Sequence, residues 1–161
     1  MKVKALVNLV TRLSQIMYWL AGLSLVSIVA LTVADVILRL FKMPILGTYE
    51  LVGFLGAWAI GFAIPQTSLD RGHVYMDFVF GYFNRPIKMI LSTLTRLMGI
   101  FLFALMGYNL FLMGSDLWSH GEVSITLHVP QFPIAYGLAF ACLVECLVLM
   151  LDLLTRSKTQ S

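Results

Sequence analysis

The chain has 161 residues, 60% of them hydrophobic and only 12% charged, with a formal net charge of +3 and a mean hydropathy of +0.90. A water-soluble domain of this length would have too little polar surface to cover so much apolar side chain, so the solvent for most of it is lipid. The small positive charge is too low to suggest a nucleic-acid partner, and none is expected; it reads better as orientation information, because basic residues accumulate on the cytoplasmic side of a membrane. Both cysteines, Cys142 and Cys146, fall inside one apolar run, which excludes a disulfide-stapled secreted fold. The pattern predicts an all-α integral membrane protein, residues 1–161 forming one four-helix membrane domain.

Residues 2–15 place Val3, Leu6, Val7, Val10 and Leu13 on one helical face and Lys4, Asn8, Thr11, Arg12 and Gln15 on the other. They read either as a short amphipathic N-terminal helix in the lipid headgroup region or as a water-exposed tail. A cleaved signal peptide is not expected: the apolar run from Ile16 to Ala34 exceeds a signal core of roughly 7–15 residues, and no small-x-small site closes it. The first spanning helix is predicted over residues 16–40, more than the roughly 20 residues a hydrocarbon core requires. Lys42, Pro44 and Gly47 then make a short turn.

The second helix is predicted over residues 48–69, with Gly53, Ala57 and Gly61 forming a smooth ridge for close helix packing. Pro65 is expected to kink or loosen its last turn. Tyr75, Phe78, Phe80, Tyr82 and Phe83 suit an interfacial aromatic belt. Pro86 fits the first turn of a third helix, predicted over residues 87–114. Residues 115–128 form the most water-compatible linker, and the fourth helix is predicted over residues 130–154.

Four spans put both termini on one side. That side holds Lys2, Lys4, Arg12, Arg71, Arg85, Lys88, Arg156 and Lys158, and the other holds Arg39 and Lys42. Eight basic residues against two predict both termini in the cytoplasm.

Two charges fall inside predicted spans. Arg96 lies about nine residues, or roughly 13 Å, into helix three, and Glu145 lies at matching depth in helix four. Intramembrane charges face protein and find partners, so an Arg96–Glu145 pair is expected. As structure it fixes helix register; as function it would relay a proton or ion. With one such pair, the structural role is favoured. Asp35 and Arg39, four apart, are expected to pair along helix one, and with Glu50 they gather at the outer face. They would tie that hairpin together or contact a partner; snorkelling side chains at helix ends are common, and the sequence leaves both open.

No catalytic residue, metal ligand or cofactor site is expected. His73, His120 and His128 fall in loops or at helix ends, which argues against a haem held between helices. Cys142 and Cys146 share a helix face and read as packing residues. No phosphate-binding loop, nucleophile elbow or zinc motif is present.

Arg39 at the end of helix one, Pro44, Glu50-Leu51, Trp58, Gly61, then Gly72-His73-Val74 with Asp77, form a recognisable set in order and spacing. Together they resemble the small membrane (Q, or DctQ-type) subunit of tripartite ATP-independent periplasmic (TRAP) transporters. The motifs concentrate in residues 35–77, and the length and four-helix layout match throughout. Tyr49-Glu50 departs from the pattern of many members, which carry two adjacent acids there. The resemblance implies a bacterial inner-membrane subunit packed against a large permease subunit. A periplasmic binding protein would deliver an organic acid for uptake driven by a sodium gradient. Gly72, His73 and Asp77 would then mark the family and not catalysis.

Two other readings stand beside it. An independent, oligomeric, ion-coupled transporter would use Glu145 as its coupling acid. A quinone- or haem-bearing respiratory anchor would show a Soret band, and the histidine positions argue against it.

Overall fold

A computed structural model describes residues 2–71 and 85–159. Four helices account for most of them: α1 (Lys2–Leu40), α2 (Thr48–Arg71), α3 (Arg85–His120) and α4 (Phe132–Thr159). Each holds a stretch long and apolar enough to cross a membrane. The expected motif residues Gly72, His73 and Asp77, and the aromatic segment 74–83, lie outside the described residues.

Residues 2–15 are continuous with the first span. α1 is one helix of 39 residues; at about 1.5 Å per residue it far exceeds a hydrocarbon thickness of about 30 Å. Its inward stripe explains the continuity. Val10, Ser14, Met17, Ala21, Ser24, Ile28, Leu31, Asp35 and Leu38 follow a strict alternating four-three spacing, and all are buried or partly buried. A repeat of 3.5 residues keeps one seam facing neighbouring helices in a left-handed bundle. The seam runs straight across the expected boundary, so no break forms there.

α4 is the centre of the bundle. It packs against all three other helices, and 44% of its span is buried, against 17% or less in each of the others. Val10 on α1 meets Val148 and Leu151, and Met17 meets Ala141 and Val144. The wide faces left uncovered are apolar, including Trp19, Leu23 and Val26 on α1 and Leu97, Phe101 and Leu105 on α3. In water such patches would drive association; in a bilayer they meet lipid. Several hydroxyls on α1 are satisfied within the helix, as lipid demands, while the buried Ser14 hydroxyl has no partner among the described residues. Ser24, Ser27 and Thr32 each donate to the carbonyl four residues back, at 2.9, 2.8 and 2.7 Å.

Two helix ends differ from expectation for local reasons. α3 continues past Gly114 to His120. A mid-helix glycine costs only about 1 kcal/mol, and Gly114 makes room for the Tyr136 ring, which would stand 3.1 Å from an added Cβ. Ser115 and Ser119 donate to the Leu112 and Asp116 carbonyls, so the polar run stays helical. α4 starts at Phe132 and runs to Thr159, beyond residue 154. α2 runs through Pro65, which is fully buried.

Along the expected ridge on α2, the two glycines differ. An added Cβ at Gly61 would collide with Leu138 Cδ2, whereas one at Gly53 would meet nothing within 4 Å among the described residues. The close α3–α4 seam instead uses Gly99 against Leu149, Gly107 against Cys142 and Gly114 against Tyr136. Gly61→Val is therefore expected to force the α2–α4 seam apart and destabilise by about 1–3 kcal/mol, while Gly53→Ala stays within about 0.5 kcal/mol of wild type. Thermal melting of both variants in detergent measures the difference.

Candidate functional site

The polar groups of the bundle sort into a clamp where the helical hairpins turn and two separate contacts inside the spans. The turn after α1 is set first. Lys42, in the left-handed region with φ 59°, donates its N–H to Arg39 O at 3.0 Å, and Met43 donates to Leu38 O at 3.0 Å. This pattern closes a helix C-terminus by satisfying its last carbonyls. Asp35, only 4% exposed, then fixes the turn. One carboxylate oxygen accepts Arg39 at 2.7 Å and the other accepts the Ile45 N–H at 3.0 Å. The expected Asp35–Arg39 contact is present, and it serves the α1–α2 turn.

Glu50 does not join that pair. It sits in the first turn of α2, where the helix dipole favours a carboxylate. Gly47 O accepts the Glu50 and Leu51 N–H groups, which makes Gly47 the N-cap and Glu50 the third helical residue. A glutamate at that position often folds back onto its own N-cap. Here it reaches the connection between α3 and α4 instead. Its carboxylate accepts the Ser124 hydroxyl, the Thr126 N–H at 2.9 Å and the Leu127 N–H at 3.2 Å.

The connection presents those donors because it is itself closed. Gly121, φ 63°, ends α3 by donating to Trp118 O, while Glu122 donates to Leu117 O. Val123 and Pro130 then bridge antiparallel, Ser124 N–H reaches Val129 O at 2.9 Å, and His128 N–H reaches Ser124 O at 3.1 Å. Leu127 covers the α1–α2 turn: a Cβ at Gly47 would lie 2.5 Å from Leu127 Cγ, and Gly47 also adopts φ 80°, so this position requires glycine. Tyr49, beside Glu50, is 92% exposed and takes no part in the clamp.

Inside the spans, the expected Arg96–Glu145 pair is replaced by two contacts. Arg96 pairs with Asp152 at 2.7 Å, and Ser68 on α2 donates its hydroxyl to Glu145 Oε1 at 2.6 Å. The reason is register. The α3–α4 contacts Gly99–Leu149, Cys146–Ile100 and Gly107–Cys142 share one antiparallel alignment. In it Arg96 stands level with Asp152, and Glu145 stands about two turns away, beside Phe103. Glu145 is 1% exposed, and its Oε2 has no partner among the described residues. It forms part of an apolar groove of about 320 Å³ between α2 and α3, floored by α4. Cys142 and Cys146 are free thiols on the same helix. His120 meets the Asp116 carbonyl at the end of α3, and His128 lies in the following connection.

Residues 28–159 match the family model described as tripartite ATP-independent periplasmic transporters, DctQ component. The chain belongs to the DctQ family. DctQ proteins are the small membrane component of TRAP transporters, a transporter family and not an enzyme family. Comparisons with curated proteins and with solved structures return no match. The DctQ match covers Asp35, Glu50, Arg96, Glu145 and Asp152, so clamp and intramembrane contacts alike lie within the family region. Four spanning helices and this membership fit a multi-pass membrane protein.

Sequence reasoning missed Ser68, Asp152 and the donors of residues 124–127. Asp152 stood in the sequence as an acid near the end of the fourth predicted span. The Glu50 partners carried no signal, because two of them are backbone N–H groups. Glu50→Ala is expected to raise amide hydrogen exchange at Thr126 and Leu127 by about ten-fold or more, the loss of one charge-assisted hydrogen bond each. The Ser124 amide, held by Val129, stays protected. Exchange mass spectrometry on the purified protein reads both.

Proposed function

We propose that this chain is the small, non-enzymatic membrane subunit of a TRAP transporter in the bacterial inner membrane, with both termini in the cytoplasm. It packs against the large permease subunit and supports sodium-gradient-driven uptake of an organic acid delivered by a periplasmic binding protein. The DctQ match over residues 28–159 carries this reading. The distribution of Lys and Arg, eight on the terminal side and two on the other, supports the orientation.

The physical layout agrees with a supporting role. Transporters that bind substrate at the membrane midplane use discontinuous helices whose free ends face the ligand. Each of the four helices here is unbroken over its described length, and the polar atoms at the turns are consumed by the fold itself. The apolar faces of α1 and α3 are available for lipid and for a partner subunit.

A second reading, an independent ion-coupled transporter using Glu145, has in its favour an Oε2 without a partner among the described residues. Proteoliposomes separate the two. The chain alone is expected to give no sodium-driven organic-acid uptake, and the chain with the large subunit and binding protein is expected to give uptake that falls to background when this chain is omitted. Flux from the chain alone would support the independent transporter.

A further inference from the structure

The groove between α2 and α3 has a feature that lipid does not satisfy. Its walls are Ala57, Ile60 and Ile64 on one side and Phe103, Met106 and Leu110 on the other. Glu145 on α4 lines its floor, almost fully buried, with one carboxylate oxygen held by Ser68 and the other without a partner among the described residues. α2 and α3 scarcely touch each other, so nothing within the described chain fills the space between them.

A buried polar atom without a partner costs several kcal/mol in hydrocarbon. An acyl chain entering the groove would cover Ile60 and Met106 and leave Glu145 as it is. A water there would find few of the polar neighbours it requires, since the other lining side chains offer at most a thiol. A metal ion would find Glu145 and no further oxygen side chain in the described lining. A protein helix brings both apolar contacts and a donor. The outer part of α2 admits one closely, because Gly53 and Gly56 have nothing within 4 Å and Ile60 is 70% exposed.

We infer that the α2–α3 groove is the seat of a transmembrane helix of the large permease subunit, which places a hydrogen-bond donor side chain against Glu145. This rests on the proposed partnership and assigns its place in the bundle. Docking then completes the Glu145 hydrogen bonding that Ser68 begins. Small residues along α2 let the backbones approach, and the polar contact fixes the register of the two subunits.

Photo-cross-linking in membranes expressing the complete transporter tests this. A photoreactive phenylalanine analogue replaces Ile60, Met106 or Leu23, the last on the outward face of α1. The first two are exposed positions whose replacement leaves the internal packing intact. Cross-links to the large subunit from positions 60 and 106, about ten-fold above those from 23, are expected. In the same membranes, Glu145→Leu is expected to lower recovery of the large subunit about ten-fold, the loss of one interhelical polar contact in lipid, while Glu145→Gln retains it. Cross-links only from position 23 would overturn the groove assignment while leaving the partnership intact. So would products containing only a second copy of this chain, or lipid alone, from a complex that still purifies. If the unmodified chain recovers no large subunit, the partnership itself falls and the inference with it.

Discussion

Glu50 accepts hydrogen bonds from Ser124, Thr126 and Leu127, and through them one helical hairpin grips the other. The rest of the bundle depends on this contact for its alignment. α1 and α2 form one hairpin and α3 and α4 the other. Between them, apolar helices in lipid gain little from hydrophobic exclusion, because lipid tails are as apolar as the helices. Alignment must come from shape and from polar contacts with nowhere else to go. Glu50 sets the level at the turns. Gly61 against Leu138 and Ser68 against Glu145 then carry the same parallel α2–α4 alignment along the spans.

The central position of α4 follows from composition as much as from topology. Ala135, Ala139, Ala141 and Cys142 keep one set of faces thin enough for close neighbours. Glycines on α3 meet the side chains of Leu149, Cys142 and Tyr136. α3 consequently hangs on α4 and stays apart from α2. That separation creates the groove, and Glu145 Oε2 on its floor has no partner among the described residues. A subunit completed by a partner would show this combination: one end locked by internal hydrogen bonds, and one seam left open with an unanswered polar atom.

The sequence made the four spans legible because hydropathy over about 20 residues is a strong signal. Packing faces were harder to read. In α1 the inward stripe includes Ser14, Ser24 and Asp35, while Trp19 and Leu23 face outward. A reading that places apolar residues inside therefore starts from the wrong side. The Gly53–Ala57–Gly61 ridge had the right spacing, yet Gly61 meets Leu138 while Gly53 has no described neighbour within 4 Å of an added Cβ. Proximity in sequence grouped Glu50 with Asp35 and Arg39, although its partners lie more than seventy positions away. Estimated helix ends placed Arg96 level with Glu145. Continuation of α3 and α4 past those ends put Asp152 there instead. Family membership was the most legible feature, because motif order survives errors of depth and register.

The central claim is that Glu50 couples the two hairpins through the 124–127 segment. A double-mutant cycle with Glu50→Gln and Ser124→Ala, read by reversible unfolding in detergent, tests it most directly. The account predicts a coupling energy of about 1–3 kcal/mol, the range for hydrogen bonds to charged groups and for residues in direct contact. Additive effects of the two substitutions would contradict it.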